Sequence, residues 1–265
     1  MPSPISLQSL SHDALSPIQL VATDVDGTLT QGGKMTAQLL VDLVRLREAR
    51  IDVILATGRS AGWVSAIAHY FPVAGAIAEN GGIFCLSEEG LPAGGHRAFD
   101  SDLEDTLADH RQALGEIFAG LKATVPRLQE SADNAFRLTD WTFDVADLTE
   151  SELTLLGDRC RAQGWGFTYS TVQCHISKLN QTKATAIAQV LQQRYPHLSR
   201  QSVLTIGDSP NDESLFNAEV FPCSVGVANI RRYLPRLAHR PRYITATEAC
   251  DGFHEVVNRL LAVCI

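Results

Sequence analysis

The sequence predicts an α/β fold, a doubly wound parallel-sheet core interrupted by an inserted α+β module. Three observations predict it. Short, wholly apolar runs ending in polar, glycine-containing turns recur in both halves, the pattern of buried parallel strands. Stretches of helical periodicity separate those runs. A middle stretch of alternating, half-exposed strand patterns breaks the rhythm.

In the first half, 18–23 (IQLVAT) is a strand ending in an acidic, glycine-containing turn. Leu39, Leu40, Leu43, Val44 and Leu46 give 36–50 a near-helical spacing. A second strand, 51–56, stops at Thr57-Gly58-Arg59, and Ser60 is placed to cap a helix over 61–70. A third strand, 74–78, ends at Glu79-Asn80-Gly81-Gly82. In the second half, a helix over 182–195 leads to a strand at 202–206 stopped by Gly207-Asp208. A helix over 212–217, an apolar stretch at 220–227, a short helix near 230–238, a strand at 242–245 and a helix over 251–263 follow.

Between these halves, 100–122 reads as amphipathic helix, 136–145 as an alternating strand, 150–163 as helix, and 167–170 and 172–177 as strands. The expected organisation is a mobile N-terminal tail at 1–17, a core of 18–82 and 178–265, and an inserted cap at 83–177.

Composition narrows the function classes. A chain of 265 residues, 45% hydrophobic and 20% charged, can bury a substantial core and is not disordered in bulk. Its net charge of -8 offers no basic face for nucleic acid. No run approaches the roughly 20 apolar residues that span a bilayer, so no membrane partner is expected. Cys85, Cys160, Cys174, Cys223, Cys250 and Cys264 contain no C-x-x-C pair and read as idle thiols in a reducing compartment. The N-terminus lacks the build of a signal peptide, and a cytoplasmic location follows by elimination. No feature sets an oligomeric state.

The least core-like residues fall at strand ends, where open α/β sheets bind ligands. These are Asp24 and Asp26, then Thr57, then Asp208 and Asp212. Although 184 positions separate Asp24 from Asp208, the predicted architecture can bring them to one rim. Clustered carboxylates repel unless a cation sits among them, and hard oxygen ligands suit Mg²⁺. Phosphoryl transfer needs a nucleophile, charge neutralisation and proton delivery. Asp24 suits the first role and Asp26 the proton transfer. Thr57 and Lys183 suit phosphate oxygens, Lys183 being preferred to Lys178 because it opens the predicted helix.

Asp24-Val25-Asp26-Gly27-Thr28-Leu29-Thr30, Ala56-Thr57-Gly58-Arg59, Lys183 and Gly207-Asp208-Ser209-Pro210-Asn211-Asp212 resemble, in order and spacing, the four motifs of the haloacid dehalogenase superfamily. The insertion resembles the cap of its subclass IIB, the Cof-type sugar phosphatases, as do Glu79-Asn80-Gly81 and Val225-Gly226-Val227-Ala228-Asn229. Ala184 departs from the glycine often found after the motif lysine. The resemblance implies a Rossmann-like core and a Mg²⁺-dependent phosphatase with Asp24 as nucleophile and Asp26 as acid/base. It implies metal contacts from Asp24, the Asp26 carbonyl and Asp208, with Asp212 and Asn211 supporting metal and phosphate. Thr57, Gly58, Lys183 and Asn211 are the expected phosphate-binding residues, and Arg59 and Asn80 the expected cap-side contacts.

The expected partner is a small phosphorylated metabolite, a sugar phosphate in particular. A phosphosugar mutase or phosphotransferase and a non-catalytic phosphorylated-ligand sensor are the alternatives. The compact 207–212 segment favours hydrolysis over the mutase, and retention of Asp24 and Asp26 speaks against the sensor. In the cap, His96, Arg97, Arg137, Asp140, Trp141 and His175 are within the reach of a substrate, yet each reads more simply as packing or surface. Cys174-His175 lacks the neighbours of a thiol or metal site. Arg231, Arg232, Arg236, His239, Arg240 and Arg242 read as a solvated face.

Overall fold

The computed structural model describes residues 3–86, 96–98 and 103–262. The side chains of His96 and Arg97, together with Val263 and Cys264, lie outside the described residues. The core elements in chain order are β1 (Ile5–Ser6), α1 (His12–Leu15), β2 (Leu20–Thr23), α2 (Ala37–Glu48), β3 (Asp52–Ala56), α3 (Ala61–Tyr70), β4 (Gly75–Ala78), β5 (Ile83–Leu86) and β6 (His96–Ala98). Then come α4 (Leu103–Thr124), β7 (Trp141–Asp144), α5 (Glu150–Ala162), β8 (Trp165–Tyr169) and β9 (Gln173–Lys178). The chain closes with α6 (Lys183–Arg194), β10 (Val203–Gly207), β11 (Cys223–Gly226), β12 (Tyr243–Ile244) and α7 (Ala249–Leu261).

The main sheet has nine strands in the order β1-β12-β11-β10-β2-β3-β4-β5-β6. All neighbours from β1 to β4 are parallel. Strand faces alternate between two apolar layers. Val21, Val53, Leu55, Leu204 and Ile206 meet α2, α3 and α7 on one side. Leu20, Ala22, Ile54, Ala56 and Val203 meet α6 and the residues around Phe216 on the other. Both faces are therefore covered, which is why these strands read as continuous apolar runs.

The chain builds outward from β2 to β4, then returns to lay β10 against the other side of β2. That reversal is the crevice where open α/β sheets bind ligands. Thr23 pairs with Ile206, so Asp24 and Asp208 emerge side by side despite their sequence separation.

The second sheet, antiparallel in the order β7-β9-β8, carries α4 and α5 on one face. Cys174 and Ile176 of β9 enter that apolar cluster, with Phe143 of β7. His175 and Ser177 alternate to the opposite face. There a cleft of about 330 Å³ is lined by Thr168 and Ser177 from this sheet and by Asn80, Asn211 and Ser214 from the core.

Several expectations need correction. Residues 5–15 do not form a free tail: β1 extends the sheet beside β12, and Leu7, Leu10 and Leu15 are buried among the core residues. Their apolar spacing is irregular and split by serines, so periodicity did not reveal them. The inserted module does not begin at Ile83, because β5 and β6 continue the main sheet as antiparallel edge strands. The strand expected at 136–145 shortens to 141–144 behind a 3-10 turn at Ala132–Phe136, since 137–140 is held by side-chain bonds to the core. The helix expected near 230–238 is only a 3-10 segment, Ala228–Arg232, ahead of Pro235. Five cysteines, Cys85, Cys160, Cys174, Cys223 and Cys250, are buried free thiols.

Leu10 is fully buried and Arg259 Nη2 donates to its carbonyl at 2.6 Å. Leu10→Ala is expected to lower unfolding stability by about 2–5 kcal/mol, read from urea titration; a mobile tail would show no change.

Candidate active site

Lys183 is the centre of the site. Thr182 caps α6, its hydroxyl accepting from Thr185 N, and this sets Lys183 as the first helical residue. The ammonium is wholly buried and donates to Asp24 Oδ1 at 2.5 Å and Asp212 Oδ1 at 2.6 Å. Burial works to lower its pKa, but Asp212 and Asp24 outweigh burial and hold it above the ordinary lysine value.

Asp24 extends β2, its N–H donating to Ile206 O at 2.9 Å. Asp212 lies in a 3-10 segment, Pro210–Phe216, and its Oδ2 accepts from the N–H groups of Asp208 and Ser209. Asp208 Oδ2 accepts from Asn229 Nδ2 at 2.6 Å, and the same amide reaches Gly27 O at 3.0 Å. Gly27 has φ +84°, and a Cβ there would lie 2.5 Å from Asp208 Oδ2. Only glycine permits both that backbone and that approach.

Carboxylate oxygens of Asp24, Asp208 and Asp212 lie within 4.8 Å of one another. Among the described residues, Asp24 Oδ2 and Asp208 Oδ1 are buried without a hydrogen-bond partner. Burial pushes the Asp24 carboxyl up to about 8, with Lys183 opposing and Asp212 and Asp26 reinforcing. Burial, then Asp24 and Asp212, hold Asp208 well above the usual carboxylate range. Two partnerless oxygens in an all-oxygen donor set fit a hard divalent cation. Asp212 has both oxygens engaged by protein donors, so Asp24 and Asp208 are the better placed ligands.

Asp26 is turned away from that cluster. Arg59 Nε and Nη2 grip its two carboxylate oxygens at 2.8 and 2.7 Å, and the hydrogen bond to Asp26 raises the Arg59 pKa. The Asp26 carboxylate is thus no metal ligand here, leaving its backbone carbonyl as the group implied by the resemblance. Thr57 is buried and its hydroxyl accepts from Arg59 N at 3.2 Å, which leaves the O–H free to donate. Gly58 O accepts from Arg137 Nη1 at 2.9 Å. Asn211 receives the Ser209 hydroxyl and donates to Asn80 Oδ1 at 3.1 Å. The structure therefore gathers Asp24, Lys183, Asp208 and Asp212 directly, Asp26 with Arg59, and Asn80 with Asn211.

Sequence reasoning missed Glu79. It is fully buried at φ +53°, and its carboxylate accepts from Ala61 N, Leu138 N, Thr139 N and the Thr139 hydroxyl. It supplies the cap that Ser60 does not provide to α3, and it ties the cap segment to the core. Burial raises its pKa, with the Thr139 and Ala61 bonds opposing. A carboxylate ending a buried strand was the available signal. Arg137, Asp140 and His175 also depart from their expected packing roles: Arg137 pairs with Asp140, and Asp140 Oδ2 with His175 Nδ1. Trp141 does pack, against Phe118, with Arg111 over its ring.

Residues 21–112 match the family model of haloacid dehalogenase-like hydrolases. This match agrees with the resemblance drawn from the sequence motifs. The chain is 27% identical to a phosphoglycolate phosphatase of Methanothrix thermoacetophila, across 92% of this chain and 98% of that one. Among solved structures, a Thermoplasma acidophilum protein superposes with a TM-score of 0.71 at 19% identity, covering 92% of this chain and 98% of the other. A Synechocystis sucrose-phosphatase does so with a TM-score of 0.68 at 17% identity, with the same coverage. At those identities the structures share the chain's fold.

Two outcomes follow from the acidic cluster. Mg²⁺ is expected to raise the melting temperature of the cation-free protein, and Asp208→Asn to abolish that rise. The folded chain keeps the Asp24 proton to about pH 8, whereas its ordinary value is 3.8. The folded state therefore binds more protons, and stability without cation falls as pH climbs between those values. Asp24→Asn is expected to flatten that slope in melting curves.

Proposed function

We propose that this hydrolase cleaves a small phosphate monoester in two steps through a phosphorylated Asp24, with Mg²⁺ as its resident cation. Phosphoric monoester hydrolase is the class carried by its family and its curated relative; the route and the substrate are our reading. The observation that carries the route is the division of labour on Asp24. One oxygen is fixed by Lys183 and the other has no protein partner, the state of a restrained nucleophile.

In the first step an Asp24 oxygen attacks phosphorus as the bond to the leaving oxygen breaks. Asp26 gives its proton to that oxygen. In the second step water attacks the phospho-aspartyl phosphorus, Asp26 takes the water's proton, and inorganic phosphate leaves with Asp24 restored. The Arg59 fork holds the Asp26 carboxylate away from the acidic cluster and must release it for each proton to pass. Lys183, the Thr57 hydroxyl and Asn211 bind and orient the phosphoryl oxygens. Asp24 and Asp208 would hold the cation, which would supply Lewis-acid charge neutralisation.

The substrate is a small polar ester. The cleft of about 330 Å³ that borders the candidate site at Asn80 and Asn211 is at the small end of ligand pockets. Phosphoglycolate, on which the archaeal relative is named to act, is the first ester to try, followed by sugar phosphates. We place the reaction in the cytoplasm as part of the same reading; among the described residues no helix is long and apolar enough to cross a membrane.

Phosphate release from p-nitrophenyl phosphate is expected to require Mg²⁺ and to fall about 10³-fold or more in Asp24→Ala. An isomerised phosphosugar without free phosphate would instead identify a mutase. Undiminished turnover in Asp24→Ala would overturn the nucleophile assignment.

A further inference from the structure

The loop of Thr57, Gly58 and Arg59 carries three successive backbone carbonyls, and each has a donor. Thr57 O accepts from Asn80 N at 3.0 Å, and Arg59 O accepts from Glu79 N at 3.0 Å. Both donors belong to the turn after β4, within the core. The middle carbonyl differs: Gly58 O accepts from Arg137 Nη1 of the cap at 2.9 Å. Among the described residues Arg137 is its one donor. The core fastens the two ends of the loop and leaves its centre to the cap.

Arg137 is built as a fixed donor. Its side chain has no exposed surface. Nη1 donates to Asp140 Oδ1 at 2.9 Å as well as to Gly58 O. Nη2 donates to Asp133 Oδ2 at 2.8 Å and to Gln173 Oε1 at 3.1 Å. Asp140 is itself wholly buried, with its Oδ2 lying 2.8 Å from His175 Nδ1. The two carboxylates already offset the guanidinium charge, so the reach to Gly58 O is not needed for neutrality. A planar fork gripped on both arms is a donor whose position is set in advance.

The bond acts beyond Gly58 because a peptide is planar. The Gly58 carbonyl and the Arg59 N–H are two ends of one rigid unit. That N–H donates to the Thr57 hydroxyl oxygen at 3.2 Å. With a donor on its oxygen, the hydroxyl turns its own hydrogen elsewhere. Glycine restrains its backbone torsions weakly, so a released Gly58 carbonyl lets the whole peptide rotate. The Arg59 N–H then leaves Thr57, and the hydroxyl loses the group that orients it.

We propose that Arg137 is a positioning residue for phosphoryl transfer: from the cap it locks the Gly58–Arg59 peptide, and through that peptide it aims the Thr57 hydroxyl at a phosphoryl oxygen. This deepens the phosphatase reading and rests on it. Phosphate binding by the core is completed by a cap residue that acts through the core's own backbone.

The test is a double-mutant cycle on the full-length protein, with Mg²⁺ and p-nitrophenyl phosphate. Arg137→Met is made together with Asp140→Asn, which removes the donor and leaves neither member of that buried pair charged. This change is expected to lower kcat/KM about tenfold, the worth of one hydrogen bond. Thr57→Val alone is expected to cost about tenfold or more. In the Thr57→Val background no hydroxyl remains to be aimed, and the Arg137 change is expected to alter kcat/KM by less than about twofold. If the paired change fails to fold in melting curves, Arg137→Lys takes its place, since it keeps the charge but lacks the fork. Equal losses in both backgrounds overturn the proposal, because a residue that merely supports the fold acts whatever stands at position 57. So does wild-type activity in either the Arg137 variant or Thr57→Val. Those outcomes leave Asp24 and the phosphatase reading standing. Absence of phosphate release from the wild type would sink that reading, and this one with it.

Discussion

The buried ammonium of Lys183 is the interaction on which the site depends. Asp24, Asp208 and Asp212 converge within a few ångströms in a place closed to bulk water, where like charges repel strongly. One cation, held between two of them, offsets part of that repulsion. It also fixes the geometry: the lysine opens α6, so the helix, the end of β2 and the 3-10 segment after β10 are locked to a common point. The remaining acidic charge is what calls for a divalent cation, and the two partnerless carboxylate oxygens are where it would be received.

Around that centre the structure commits its buried polar groups to joining cap and core. Glu79 gathers donors from the start of α3 and from Leu138 and Thr139. Arg137, with no exposed side-chain surface, reaches from the cap to Gly58 O while pairing with Asp133 and Asp140. Buried charges of this kind contribute little net stability when paired but cost several kcal/mol when one partner is lost. Their benefit here is registry: they hold the polar face of the second sheet over the loop of Thr57, Gly58 and Arg59. That face sets His175 against Gly58, next to Asn80.

Local chemistry determined much of this protein in advance. Continuous apolar runs flanked by helical spacing carried the doubly wound core because burial on both faces leaves that imprint on any chain. Asp24, Lys183, Asp208 and Asp212 stood out because acidic and basic groups at strand and helix ends have no place in a core. Other features left no such imprint. Leu7, Leu10 and Leu15 are packed by contacts without a period, so the segment looked like a tail. Ile83 and Phe84 looked like the start of the insertion, because a hairpin edge and a crossover begin alike. Glu79, Arg137 and Asp140 drew little notice because a buried charge is recognisable only from its partners, and theirs are distant in sequence. Whether Asp26 faces the acidic cluster or Arg59, and whether His175 faces the cap interior or Gly58, was decided by tertiary packing alone: a strand's side chains alternate by rule, but only the element laid against each face gives that alternation a chemical meaning.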